Sequence, residues 1–236
     1  MSLAARADEI ARADRLFRGR DDTANLRQAI SVLEGRLTSG KAEFAVLWRL
    51  AKYRYYLSCR ARAPGAQAKL LKSAIRGARA TCRVDAQRPE GHFWLAVSYG
   101  EYADLKGAAK ALKLLPAIQR EYEAVLAIDP RYENGAAYEA LGELDIRLPP
   151  RLGGNTDRGL ERLEHGLSVA PTNADLKVTL ARAYAGHGRK EEARRLLEQV
   201  LASRDPLKSA AEQEHVNAKA RRLLDELRSG TDLDWM

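Results

Sequence analysis

From Asn173 to Pro206 apolar and polar positions alternate with the period of two consecutive amphipathic helices. Leu176, Leu180 and Tyr184 recur at helical spacing until Gly186-His187-Gly188 interrupts the pattern. Ala193, Leu196, Leu197, Val200 and Leu201 then recur at i, i+3, i+4, i+7 and i+8, and Asp205-Pro206 ends the run. A helix pair of this kind cannot bury its apolar stripe alone, so the pattern predicts neighbours like it.

Laid on the 34-residue tetratricopeptide pattern, the stretch supplies Lys177-x2-Leu180-Ala181-x2-Tyr184, then Ala193-x3-Leu197, then a proline near the last position. The rest of the chain repeats the theme. Residues 4–18 form a first helix marked by Ile10, Leu16 and Phe17, and Arg20-Asp21-Asp22 turns the chain. Thr23 to Leu37 is a second, with Leu26, Ile30, Leu33 and Leu37 on one face and Ser39-Gly40 closing it. Ala42 to Ala61 carries Leu47-x2-Leu50-Ala51, with Arg54 where the repeat has an aromatic and with Trp48, Tyr53, Tyr55 and Tyr56 crowded together. Pro64-Gly65 turns into Ala66 to Asp85, whose Ala74-x3-Ala78 admits a close neighbour.

Pro89 to Leu105 opens the next copy with His92-x2-Leu95-Ala96-x2-Tyr99. Ala108 to Leu114 is helical, but an interior proline costs about 3 kcal/mol. Pro116 therefore predicts a break, with Pro116 to Ile128 as the packing helix, turning Ile118, Tyr122, Val125 and Leu126 inward before Asp129-Pro130. Gly135 to Arg147 carries Tyr138-x2-Leu141-Gly142, and the Pro- and Gly-rich stretch 148–155 cannot continue it. Asn155 or Thr156 caps a helix that runs to Val169 with Leu160, Leu163 and Leu167 inward, ended by Ala170-Pro171. Ala210 to Leu227 presents Leu223, Leu224 and Leu227 to the stack, and residues 229–236 fray.

The predicted fold is all-α: a right-handed α-solenoid of tetratricopeptide-like helix pairs with insertions and a C-terminal capping helix. It is a single domain, 1–236, divided into an N-terminal helix pair (4–40), repeats at 42–88, 89–130, 133–171 and 174–206, and a cap at 209–228. The Leu-Ala or Leu-Gly pairs end at 51, 96, 142 and 181, so the copies are spaced by about 45, 46 and 39 residues and carry insertions relative to the standard repeat.

Composition changes this picture little. The net charge of +8 raises nucleic-acid association as a function class, one that predicts steep weakening with salt. However, the arginines are spread over all the helices among Asp and Glu, with no block of like charge and no nucleic-acid motif. Cys59 and Cys82 fall on consecutive helices in positions that an antiparallel hairpin keeps apart, so they read as buried, unreactive, unbridged thiols. No apolar run reaches the roughly 18 residues of a membrane span. Met1-Ser2-Leu3 ahead of a charged helix reads as an artificial start from which a leader was removed, leaving the cytoplasm as the alternative compartment.

Candidate chemistry is sparse. His92, His165, His187 and His215 lie far apart and read as surface histidines; without His-x3-His or Cys-x2-Cys spacing no metal site, cofactor or catalytic residue is predicted. Gly153-Gly154-Asn155 could greet an anion with free N–H groups, but no strand precedes it and no Lys-Ser or Lys-Thr follows, so the glycines read as a tight turn. Glu139 and Glu143 sit one turn apart, with Arg147 placed to pair with Glu143.

Several elements carry a closer likeness. These are Gly107-x8-Pro116, Ala127-Ile128-Asp129-Pro130, Ala140-Leu141-Gly142 and Leu148-Pro149-Pro150-Arg151-Leu152-Gly153-Gly154, with Ala13-Asp14-Arg15-Leu16-Phe17 and Arg20-Asp21-Asp22 at the start. Together they resemble the bacterial TRAP-transporter-associated tetratricopeptide proteins and, more distantly, the eukaryotic regulators of microtubule dynamics. The family commonly has Asp after the Gly-Gly pair, where this chain has Asn155. The resemblance implies a helical solenoid without catalytic activity: a periplasmic, often lipid-anchored helper of tripartite solute uptake that docks a solute-binding protein.

In a tetratricopeptide array the first helix of each repeat lines the concave face. That register nominates Trp48, Lys52, Tyr55 and Tyr56, then Phe93, Val97 and Glu101, then Glu139, Glu143 and Arg147, then Val178 and Arg182. The sequence therefore predicts a protein-binding scaffold whose groove takes another protein or peptide. A carrier that encloses a small apolar ligand between the helices of 89–130 is the alternative.

Overall fold

The computed structural model describes residues 3–38 and 43–229. Among the described residues it is helical throughout, with no strand. The helices are α1 (Leu3–Arg18), α2 (Thr23–Thr38), α3 (Phe44–Ser58), α4 (Pro64–Val84), α5 (Pro89–Lys106), α6 (Ala108–Ile128), α7 (Ala136–Arg147), α8 (Thr156–Val169), α9 (Ala174–Gly186), α10 (Lys190–Ala202) and α11 (Ala210–Ser229). The expected closure at Ser39-Gly40, the start at Ala42 and the tail past Ser229 lie outside the described residues.

The helices divide into two compact units, Met1–Asp129 with α1–α6 and Pro130–Met236 with α7–α11. In the first, each helix packs on its successor, and α3 also meets α1 and α5. In the second, each helix again packs on its successor, and α9 also meets α7 and α11. Sequential pairing with alternate helices side by side is the arrangement of a tetratricopeptide-like solenoid.

Burial follows the sequence pattern. The α10 stripe of Ala193, Leu196, Leu197 and Val200 is buried, whereas Leu201 at its edge is exposed. Covered by α7, α8, α10 and α11, α9 is buried nearly all round, including Leu176, Val178, Leu180, Ala181, Ala183 and Tyr184. Fully burying a leucine contributes about 1.5–3 kcal/mol, so this helix anchors its unit. In the first unit Ala13, Leu33, Val46, Leu50 and Tyr53 share one core. Polar side chains cap α8 and α9: Asn155 Oδ1 accepts from Arg158 N at 2.9 Å, and Asn173 Oδ1 accepts from Leu176 N at 2.9 Å.

Three local expectations are corrected. α6 runs without a break through Pro116. The lost hydrogen bond is that of the Leu112 carbonyl, one turn earlier, and both Leu112 and Pro116 are exposed, so water can take the carbonyl. Ile118, Tyr122 and Val125 meanwhile hold the helix down. α4 begins at Pro64, as its first helical residue, not after the Pro-Gly pair. Cys59, just past the last turn of α3, is exposed and not buried; both cysteines are free thiols.

The 148–155 insertion folds as a short turn, Pro150–Leu152, followed by Gly153 at φ +88°. A Cβ on Gly154 would stand 1.7 Å from the Leu148 carbonyl oxygen, so only glycine lets the loop close on itself. Asn155 N then donates to Asp145 O at 2.8 Å, tying the loop to the helix it left. Between Pro130 and α7 the backbone turns left-handed at Glu133, Asn134 and Gly135. There Asn134 donates to the buried Asp205 carboxylate at 3.3 Å, and the same carboxylate accepts from Ala174 N at 3.2 Å.

Candidate functional site

In the second unit, α7, α9 and α11 together line an open cavity of about 260 Å³, formed by Glu139, Glu143, Asp175, Val178, Thr179, Arg182 and Lys219. Four of the nominated groove residues, Glu139, Glu143, Val178 and Arg182, thus meet in one place. They do so because alternate helices of a paired array stand side by side, and i, i+4 spacing on each keeps its residues on one face. Val178 is itself largely buried in the wall.

Each acid of the cavity has a partner. Glu139 Oε1 accepts from the Thr179 hydroxyl at 3.1 Å. Glu143 pairs with Arg147 at 3.0 Å, the i, i+4 pair read from the sequence, with both side chains partly exposed. Asp175 pairs with Lys208 and, at 3.7 Å, with Lys219. Burial, reinforced by the neighbouring charges of Asp175 and Glu143, pushes the Glu139 carboxyl up to about 8. Arg182, which also lines the cavity, has no hydrogen-bond or ion-pair partner among the described residues.

Four of the nominated residues of the first unit, Lys52, Tyr55, Tyr56 and Phe93, sit in an aromatic cluster made by α1, α3, α5 and α6. Phe17 stacks on Tyr53 at 4.4 Å and meets Tyr56 edge-on at 5.0 Å. Tyr55 and Tyr56 both approach Trp94, and Phe93 lies edge-on to Trp94 and Tyr122. Lys52 Nζ stands 4.9 Å from the Trp94 ring centre, and the Arg49 guanidinium covers Trp48 at 4.2 Å. Glu101 accepts from Gln67 at 2.9 Å, and burial, with Asp104 adding repulsion, raises its carboxyl above the ordinary value. Phe93 is 5% exposed, so its ring is a packing element, whereas Trp48, Lys52, Tyr55, Tyr56, Val97 and Glu101 are half-buried.

A family model described as the TRAP transporter T-component matches residues 53–232. The chain belongs to that family. The match takes in the aromatic cluster from Tyr53 onward and the whole polar cavity. No curated protein matches this T-component sequence. Among solved structures, the crystal structure of TTC0263, a thermophilic TPR protein of Thermus thermophilus, is similar with a TM-score of 0.66 at 15% identity, over 92% of this chain and 98% of that one. The crystal structure of MamA is similar with a TM-score of 0.51 at 19% identity, over 84% of this chain and 93% of that one. At these identities the likeness establishes the fold: the T-component chain is an all-helical, tetratricopeptide-like solenoid of paired helices. No helix among its described residues is long and apolar enough to cross a membrane.

Two polar clusters of the T-component chain escaped the sequence reading. Asp145 is buried between Arg158 and Arg162. His92, expected at the surface, is instead half-buried with Nδ1 2.7 Å from Glu121 Oε2, and Cys82 lies beside this pair. Asp145 follows Ala137 and Leu141 at i+4 steps, so its place in the core register was a usable signal. His92, Glu121 and Cys82 sit on three helices at unrelated spacings, and no local pattern joins them.

Proposed function

We propose that this chain is a non-enzymatic scaffold of TRAP-type solute uptake, working in the periplasm, that docks a solute-binding protein on the face made by alternate first helices of its pairs. Family membership supports the transport context. The observation that carries the docking reading is Arg182, held in a cavity whose three acids are already partnered. A guanidinium that no carboxylate among the described residues answers is ready for one from outside, and arginine offers it two parallel hydrogen bonds. Arginines of this kind are over-represented among the residues that dominate interface energy. The charged lining suits a polar protein surface better than an apolar small molecule.

The test is a binding measurement between the full chain and an immobilised TRAP-type solute-binding protein. Arg182→Glu places a fourth acid in the cavity and is expected to weaken binding at least about tenfold, with a slower on-rate at low salt. Circular dichroism must show the helical content unchanged. Undiminished binding by a folded Arg182→Glu protein would remove the cavity from the interface.

A further inference from the structure

We propose that Cys82, His92 and Glu121 form a binding site for a zinc-class divalent transition-metal ion, joining α4, α5 and α6. Each residue brings one ligand atom to within 4.8 Å of the other two. In a tetrahedral zinc site, with bonds of about 2.0–2.3 Å, ligand atoms stand roughly 3.3–3.8 Å apart. Adjustments of about 1 Å or less therefore convert the present arrangement into a coordination triangle.

The hydrogen bonds around the triad orient it for this role. His92 Nε2 lies 3.1 Å from the Ala86 carbonyl oxygen, which can only accept, so Nε2 carries a proton. Nδ1 is thereby aimed at Glu121 Oε2, 2.7 Å away. Metal-bound histidines show this pattern, one nitrogen fixed by a backbone carbonyl and the other on the ion. Glu121 is held in turn: its Oε1 accepts from Arg120 at 2.8 Å, which leaves Oε2 to face the ring. An imidazole nitrogen and a carboxylate oxygen cannot meet as two bare acceptors, so at 2.7 Å a proton lies between them, and an ion takes its place once the two part by about 0.6–1 Å.

The sulfur favours the metal. A bridging proton needs no third donor, yet Cys82 is brought to the same point. Gly91 makes that possible: a Cβ there would stand 2.7 Å from Cys82 Sγ and 2.9 Å from its backbone nitrogen. Only glycine at this position lets the start of α5 settle against the thiol and carry His92 with it. One thiolate, one imidazole and one carboxylate suit zinc and disfavour magnesium and calcium, which prefer oxygen alone. On binding, the thiol proton leaves to solvent and the sulfur lone pair takes the ion. Three protein ligands leave the fourth position to water.

The experiment titrates the full chain, stripped of metal with a chelator, with Zn²⁺ by calorimetry and with Co²⁺ by absorption spectroscopy. The expected result is one ion per chain, a thiolate-to-cobalt charge-transfer band, and no heat with Mg²⁺. Cys82→Ser should abolish the band. Cys82→Ser and the near-isosteric Glu121→Gln should each weaken Zn²⁺ binding at least about tenfold. Cys59→Ser should change nothing. Thermal melts of the metal-free variants establish that they fold, and Glu121→Gln serves alone if Cys82→Ser does not. A folded wild-type chain that binds no Zn²⁺, a cobalt complex without the charge-transfer band, or affinity unchanged in both variants would show that the His92–Glu121 contact holds only a proton.

Discussion

Arg158, in the first turn of α8, reaches back across the proline-rich insertion to the carboxylate of Asp145 on α7. Its Nε donates to Oδ2 at 3.0 Å and its Nη2 donates to Oδ1, while the same Nη2 also donates to the Gly153 carbonyl at 2.6 Å. Arg162, one turn on, adds a contact to Oδ2 at 3.1 Å. Asp145 is only 3% exposed, so the whole insertion is gathered around one buried charge. Removing one partner of a buried pair typically costs 3–5 kcal/mol, but both arginines are partly exposed and can turn to water. Asp145→Ala is therefore expected to lower stability by about 2–3 kcal/mol, and Asp145→Asn, which keeps acceptor and shape, by about half as much. Urea unfolding of the three proteins reads the difference, and an Asp145→Ala midpoint equal to wild type would refute the pair's structural role.

The same loop separates two adjacent glycines by mechanism. At Gly153 the backbone is left-handed but a Cβ has open space, so Gly153→Ala should cost only about 1–2 kcal/mol for the backbone conformation. At Gly154 a Cβ would fall 1.7 Å from the Leu148 oxygen and 2.5 Å from its carbonyl carbon, and both are backbone atoms that no rotamer change can clear. Gly154→Ala should thus cost more than about 3 kcal/mol, among the larger single-substitution effects. Denaturant unfolding of the two variants side by side checks the order; a reversed order contradicts the loop geometry.

How far such features were legible depends on whether the determining interaction is local. Asn155 and Asn173 cap their helices, and Gly186-His187-Gly188 ends α9, because these signals act within one turn of chain. Glu139, Glu143, Val178 and Arg182 could be placed on one face because helical period and repeat register fix direction. Pro116 misled because helix propensity counts the missing bond without regard to the exposure of Leu112, where water can take the orphaned carbonyl. Phe93 shares its helix with half-buried residues, and only tertiary packing closes its ring in between Trp94 and Tyr122. The Cys82–His92–Glu121 cluster depends on how three helices approach one another, which Gly91 permits but no spacing rule announces.

Glu139 gives the second unit a pH dependence whose sign is fixed. Its carboxyl rises from an ordinary 4.5 to about 8 through burial and through the charges of Asp175 and Glu143, opposed by Lys208 and the Thr179 hydroxyl. Below the lower value folded and unfolded chains are both protonated. Between the two values the folded chain retains a proton that the unfolded chain has released, so stability falls as pH rises, and above about 8 the loss is complete. Glu139→Gln removes this slope. The variant should gain on wild type between pH 5 and pH 8.5 by at least about 2–4 °C in Tm, the shift that 1 kcal/mol produces in a chain of this size. A Tm difference that is the same at both pH values would contradict the assignment.

Pro116 offers the opposite kind of test, a substitution expected to stabilise. α6 is continuous from Ala108 to Ile128, so an alanine at 116 meets helical backbone on both sides and can donate to the Leu112 carbonyl. Position 116 is exposed, so the added N–H and the lost ring disturb no core contact. The gain has a ceiling of about 3 kcal/mol from helix propensity. Part of it is returned because proline also restricts the unfolded chain, an effect of about 0.4–1 kcal/mol. Pro116→Ala should therefore raise stability by about 1–2 kcal/mol, read as a higher urea midpoint with unchanged slope. A lower midpoint would mean that the helix is bent at Pro116 and that the packing of Ile118 and Tyr122 depends on the bend, since a straightened α6 would then pull those side chains out of register.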